Sequence, residues 1–210
     1  MSCQTKSQNR RGSAADLSDG QVKTAIALAR TGMQAVRNTA LLRLSLTLGL
    51  RVSDLAGLEW RDCLNGSGAV ADVLVIRPET AKYGSGAKLP IPNQIKKAIQ
   101  ELLHEETRRY GNPVPTQPLF RSQRGFMKRH SMVGWFKRLY VNAGANGASS
   151  HSGRRYAITK IARNISQANG SVADICQIAR HKSIQTTMRY IATSSQAQTD
   201  VIKMVDRMVR

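Results

Sequence analysis

Between Thr107 and Ala173 the chain has no aspartate and no glutamate. A solvated cationic face ordinarily mixes in acids, so 67 residues without one imply an anion supplied from outside. Cysteine is also scarce. Cys3, Cys63 and Cys176 are odd in number and far apart, which gives no disulfide framework and no metal-ligand spacing and fits a reducing interior. No apolar run approaches the ~18 residues that span a bilayer. Met1–Arg11 is polar and basic with no apolar stretch behind it, so no secretory signal is expected. The chain lacks an HExxH, a paired-Asp cluster and a Walker loop. The glycines of Thr80–Lys88 miss the Gly-Lys-Ser/Thr ending that a phosphate-cradling loop needs.

What is present is cationic. The 210 residues hold 32 Lys+Arg against 13 Asp+Glu, a formal net charge of +19. Ten of the acids precede the acid-free stretch, which itself carries twelve Lys or Arg. Hydrophobic residues make up 41%, enough to bury a core, and the length fits one domain or one with a short appendage. Nucleic acid is the favoured partner, through phosphate contacts and counterion release. An anionic membrane is disfavoured, because no segment joins a basic face to a large apolar one.

Along the chain, Met1–Ala15 reads as a disordered basic arm. Ser18 or Asp19 caps a helix running to about Arg30, and Asn38 opens a second, largely buried helix that Gly49 stops. A helical turn, Val52–Leu58, follows. Ala69–Arg77 has strand character, with Lys88–Pro92 as its hairpin partner and Glu59–Asp62 as a third strand. Asn93–Tyr110 is an amphipathic helix, and Gly111–Pro118, with three prolines, is a loop. Helices are expected at about 131–143, 150–167, 171–179, 183–191 and 195–209. The fold class is therefore mainly α with one small antiparallel sheet (α+β).

Four features carry candidate chemistry. In Gly49-Leu50-Arg51-Val52-Ser53-Asp54, an arginine follows a helix-ending glycine among apolar neighbours, where a guanidinium needs an anion; Asp54 at i+3 is one candidate partner. In His151-Ser152-Gly153-Arg154, an imidazole and a guanidinium share a helix face and suit a phosphate, although a surface histidine in a basic patch would look the same. In His181-Lys182-Ser183 through Arg189-Tyr190, Ser183 can cap a helix, and Tyr190 reads as a core aromatic or as a nucleophile on a phosphodiester. Lys82 stands where strand becomes turn, as a solvated turn lysine or as one that swings to a bound backbone.

Taken in order, GLRVSDLAGLEW, HSGRRYAITKIA and HKSIQTTMRYI resemble the catalytic domain of the tyrosine recombinases, the phage integrase family, over about residues 16–210. The resemblance implies that Arg51 and Arg154 clamp the phosphate and that Tyr190 forms a 3′-phosphotyrosyl bond. It makes Lys82 the donor to the leaving 5′ oxygen, with Lys88 as the other hairpin lysine able to serve. His151 and His181 fill the two remaining catalytic positions. Arg121, Arg124, Lys128, Arg129, Lys137, Arg138, Arg155, Arg180 and Lys182 form the DNA-binding set. The family usually has Glu where Asp54 stands, and Gly where Arg180 precedes His181. That glycine favours a left-handed helix end, which Arg adopts at some cost.

The resemblance further implies no metal, no ATP and no other cofactor. It implies double-stranded DNA as partner, a tetramer on paired sites, accessory DNA-bending proteins, and a cytoplasmic, nucleoid-associated location in a bacterium or on a phage or plasmid. The apolar stripe of residues 191–210 would dock in a neighbouring protomer. With only Met1–Ser18 before the first helix, the arrangement resembles the short forms such as the fimbrial-switch invertases, or a piece of a longer chain. Two other readings stand beside it. One is a non-catalytic regulator using 171–191 as a helix-turn-helix. The other is a type IB topoisomerase. Replacing Lys128 and Arg129 by alanine is expected to weaken DNA binding and flatten its salt dependence. The slope should fall by about 0.9 for each phosphate no longer neutralised, measured by titration across salt concentrations.

Overall fold

The computed structural model describes residues 14–81, 84–191, 202, 203, 205 and 207. The arm before residue 14, Lys82, and most of the 195–209 helix lie outside the described residues. The chain divides into two compact units, one ending at Ala157 and the other starting at Ile158.

The first unit opens with α1, Asp19–Ala29, closed by a capping box: Ser18 Oγ accepts from the Gln21 N–H, and the Gln21 side chain accepts from the Ser18 N–H. Helix α2, Ala35–Leu48, starts three residues before Asn38, because Gln34 supplies the first carbonyl and the Asn38 side chain is taken by Arg37 instead of capping. Gly49 ends α2 in the left-handed region, at φ 60° and ψ 30°. Helix α3, Val52–Gly57, follows after two residues.

The expected third strand is absent here. Asp62 accepts from the Glu59 N–H at 2.8 Å and draws Trp60–Asp62 into a 3₁₀ turn, leaving Glu59 a single bridge to Pro118. The expected long strand is split. Its first part, around Val70, bridges Leu64 across an Asn65-centred turn. Its second part, β1 at Val73–Ile76, pairs antiparallel with β2 at Ala87–Pro90, Leu74 opposite Leu89. Helix α4, Asn93–Tyr110, keeps its predicted bounds and packs Ile95, Ala98, Ile99 and Leu102 inward against α2. A short hairpin, β3 (Arg121–Ser122) with β4 (Gly125–Phe126), was not expected. Helix α5, Arg129–Asn142, then buries Phe136 and Tyr140 in the core with Trp60, Leu41 and Leu44.

Helix α6, Ser150–Asn164, carries the division between the units. The second unit continues through a 3₁₀ turn at Ile165–Ala168, α7 at Val172–Ala179 and α8 at Ile184–Met188. Its small core joins Ile158, Ile175 and Ala179 with Ile161, Tyr190 and Ile191. No helix among the described residues is long and apolar enough to cross a membrane.

A buried charge cluster ties the sheet of the first unit to its 3₁₀ turn. Arg77 reaches Asp62 at 2.9 Å, Glu59 at 2.9 Å and the Gly57 carbonyl at 2.7 Å. Burial pushes the Asp62 carboxyl up from its ordinary value, while the Glu59 N–H and Arg77 pull it back. Asp62→Ala removes the most buried of these acceptors from Arg77 and is expected to cost about 3 kcal/mol, read from the midpoint of urea unfolding.

Candidate active site

The end of α2 sets the first half of the site. A helix leaves its last carbonyls without intrahelical donors. The left-handed turn at Gly49 leads into Leu50, which is fully buried, and brings the chain to Arg51 at the start of α3. The Arg51 N–H donates to Asp54 Oδ2 at 2.8 Å, so the Asp54 carboxylate closes the first turn of α3. Asp54 is thus engaged with the backbone of Arg51.

The second contribution comes from α6. Ser149 Oγ accepts from the His151 N–H, and Ser152 Oγ accepts from the Ser149 N–H, which holds the helix start. His151 is exposed in the first turn, whereas Arg154 is only 6% exposed. Arg154 Nη1 donates to the Gly49 carbonyl at 2.5 Å. A buried guanidinium is thereby anchored two residues before Arg51. Gly153 permits this approach. A Cβ there would overlap the Tyr140 hydroxyl and lie 2.7 Å from Ser45 Oγ. Burial pushes the Tyr140 hydroxyl well above its ordinary pKa, so it stays a neutral hydroxyl in this contact, with Ser45 as its polar neighbour. Neither Ser45 nor Tyr140 was singled out from the sequence, where each reads as an ordinary residue of an apolar helix.

The second unit holds His181 and Tyr190. Helix α7 ends with Arg180 in the left-handed region, at φ 51° and ψ 49°, the conformation for which glycine is usual. The His181 N–H then reaches back to the Cys176 carbonyl at 3.0 Å, and Cys176 Sγ donates to the His181 carbonyl at 3.2 Å. Ser183 caps α8, as its sequence position predicts, by accepting from the Gln185 N–H. Tyr190 lies just past α8 and stacks on His181, ring centroids 5.7 Å apart and planes at 20°. Helix α8 has five residues, little more than one turn and short for a recognition helix.

The expected DNA-facing cations divide into two sets. Arg124, Lys128, Arg129, Lys137 and Arg138 are exposed, and none forms an ion pair among the described residues. Lys182 is exposed as well. Arg121 instead pairs with the buried Glu106 at 2.8 Å and lies between the rings of Tyr110 and Phe126. Arg155 pairs with Asp16 at 2.5 Å and donates to the Ala14 carbonyl, which ties residues 14–16 to α6. Arg180 is 7% exposed. Of the two hairpin lysines, Lys88 is exposed on β2 opposite Val75, and Lys82 lies outside the described residues. No group of three metal-ligating side chains occurs among the described residues.

A sequence model of the phage integrase family matches residues 16–197, and the chain belongs to that family. A comparison with curated proteins found no match. Among solved structures, the fold is similar to that of XerA recombinase, at 21% identity and a TM-score of 0.69, over 90% of this chain and 64% of that one. It is similar to the Tn1549 transposon integrase in complex with transposon right end DNA, at 19% identity and a TM-score of 0.69, over 93% of this chain and 66% of that one. It is also similar to XerH site-specific recombinase bound to its difH substrate, at 18% identity and a TM-score of 0.66, over 89% of this chain and 53% of that one. The chain thus spans less than two thirds of the length of these proteins. The mainly helical fold with a small antiparallel sheet is that of the tyrosine recombinase catalytic domain.

Because a methyl at position 153 strikes two buried hydroxyls, Gly153→Ala is expected to lower stability by about 1–3 kcal/mol, measured by calorimetry. Gly20→Ala, inside α1 where a Cβ meets nothing closer than 3.9 Å, serves as the control and should keep or slightly raise the wild-type stability.

Proposed function

We propose that the chain is a site-specific DNA recombinase that cuts and rejoins strands through Tyr190. The observation that carries the reading is the Arg154 guanidinium, buried and anchored on the Gly49 carbonyl beside Arg51. A guanidinium held in this way, with that of Arg51 as its proposed partner, suits the non-bridging oxygens of one phosphate and would offset the charge of its pentacoordinate transition state. Membership of the phage integrase family supports the same roles for these positions.

In the proposed step, Tyr190 Oη attacks phosphorus in line and its proton passes to His151. The bond from phosphorus to the 5′ oxygen breaks, and Lys82 protonates that oxygen. The 3′ phosphate stays on Tyr190. Attack by a 5′ hydroxyl from another strand reverses the step, with bond energy conserved in the ester, so no nucleotide is consumed. His151, exposed at the start of α6, is the imidazole able to exchange protons with solvent. The exposed cations Arg124, Lys128, Arg129, Lys137 and Arg138 would position the duplex backbone.

Double-stranded DNA is the proposed partner, and the reaction is proposed to run in a tetramer on two paired sites, with accessory bending proteins where the site requires them. Ile202 and Val205, 69% and 52% exposed, support a role for the C-terminal segment in contacting a neighbouring protomer. The setting is the cytoplasm, on nucleoid DNA.

The test uses fragments of the source genome nicked with DNase, so that a cleaved strand end diffuses away and traps the covalent complex. Wild type is expected to yield a denaturation-resistant protein–DNA adduct whose sequencing reveals the site. Tyr190→Phe should abolish the adduct and keep binding. Arg154→Ala should slow adduct formation by about 10²-fold or more. Binding without any wild-type adduct would sink the enzyme reading in favour of a regulator. Relaxation of supercoiled plasmids irrespective of sequence would replace it with a topoisomerase.

A further inference from the structure

Thr187 lies in α8, between His181 and Tyr190, and is fully buried. Its Oγ1 is 2.9 Å from His181 Nδ1. Among the described residues, this is the one hydrogen bond that the Thr187 side chain makes. A hydroxyl carries one proton and two lone pairs. A hydroxyl oxygen has two lone pairs to spare, whereas its single O–H left without an acceptor in a buried site bears a full desolvation penalty. A buried hydroxyl with a single partner therefore donates to it. Nδ1 is then the acceptor, and the proton of the neutral imidazole sits on Nε2.

The rest of the histidine is held as firmly. Cys176 grips its backbone from both sides, through the N–H at 3.0 Å and the carbonyl at 3.2 Å. Tyr190 covers one ring face. Rotation about the side-chain bonds would break the Thr187 contact and the stack together.

We infer that Thr187 is a positioning residue: its hydroxyl donates to His181 Nδ1 and holds the imidazole as the Nε2–H tautomer, so that His181 donates a hydrogen bond to the phosphate and does not take the Tyr190 proton. The functional half of this inference rests on the cleavage reading above; the tautomer does not. The hydroxyl acts through His181 and itself touches no reacting atom.

The test uses the full chain labelled with ¹⁵N in histidine, examined by long-range ¹H–¹⁵N correlation at about pH 8, above the usual histidine range. Wild type is expected to show His181 protonated on Nε2, with Nδ1 shifted as a hydrogen-bond acceptor. Thr187→Val keeps the shape and removes the hydroxyl, and it should lose that acceptor shift. Thr187→Ser should restore it. On nicked genomic fragments, Thr187→Val is expected to slow adduct formation by about tenfold with DNA affinity unchanged, and Thr187→Ser to recover most of the rate. A wild-type His181 protonated on Nδ1 overturns the inference, as does a folded Thr187→Val that cleaves as fast as wild type. If wild type forms no adduct at all, the cleavage reading falls, and the tautomer measurement still decides on Thr187.

Discussion

The first unit is organised around a buried charge that has to find an acceptor. Arg154 sits where water cannot reach most of it, so its guanidinium needs protein oxygen. The end of α2 supplies that oxygen, because the left-handed turn at Gly49 frees a carbonyl that no helix donor uses. That hydrogen bond therefore satisfies a helix end, orients a cation and ties Arg154 to the loop that carries Arg51. Gly153 lets α6 come close enough for the bond to form, and the Ser45 and Tyr140 hydroxyls fill the space that a side chain there would take. Moving any of these parts would move the charge.

The second unit uses a different device. Its histidine and tyrosine are locked to each other by ring stacking and by hydrogen bonds inside a short stretch of chain. Arg154 is thus set by a contact distant in sequence, whereas Arg51 and the aromatic pair are held by local ones.

Much of the helical fold was legible in the sequence, because amphipathic periodicity and end signals act locally. Asn93–Tyr110 shows both and kept its bounds, and Ser18 and Ser183 cap where expected. The sheet was less legible. Asp62 turning back on Glu59 and Asn65 organising its own turn are side-chain contacts that no alternation of apolar residues reports. Arg51, His151, Arg154, His181 and Tyr190 fall at helix ends and first turns, as their motifs implied. The charge count was a poorer guide. Arg121 and Arg155 lie in an acid-free stretch, yet each meets a carboxylate from outside it, Glu106 and Asp16. Thr187 was missed because a threonine in a helix carries no signal until its partner is seen.

Arg180 bears on how such chains are found. Its backbone takes the left-handed pair of angles that a glycine would take, and the Cys176–His181 hydrogen bonds of that helix end form normally around it. What this position demands is a dihedral pair and not a particular residue, and a side chain can meet the demand at a cost of about 1–2 kcal/mol. A search pattern that insists on glycine before the histidine would pass over this chain, although the turn that the pattern stands for is intact.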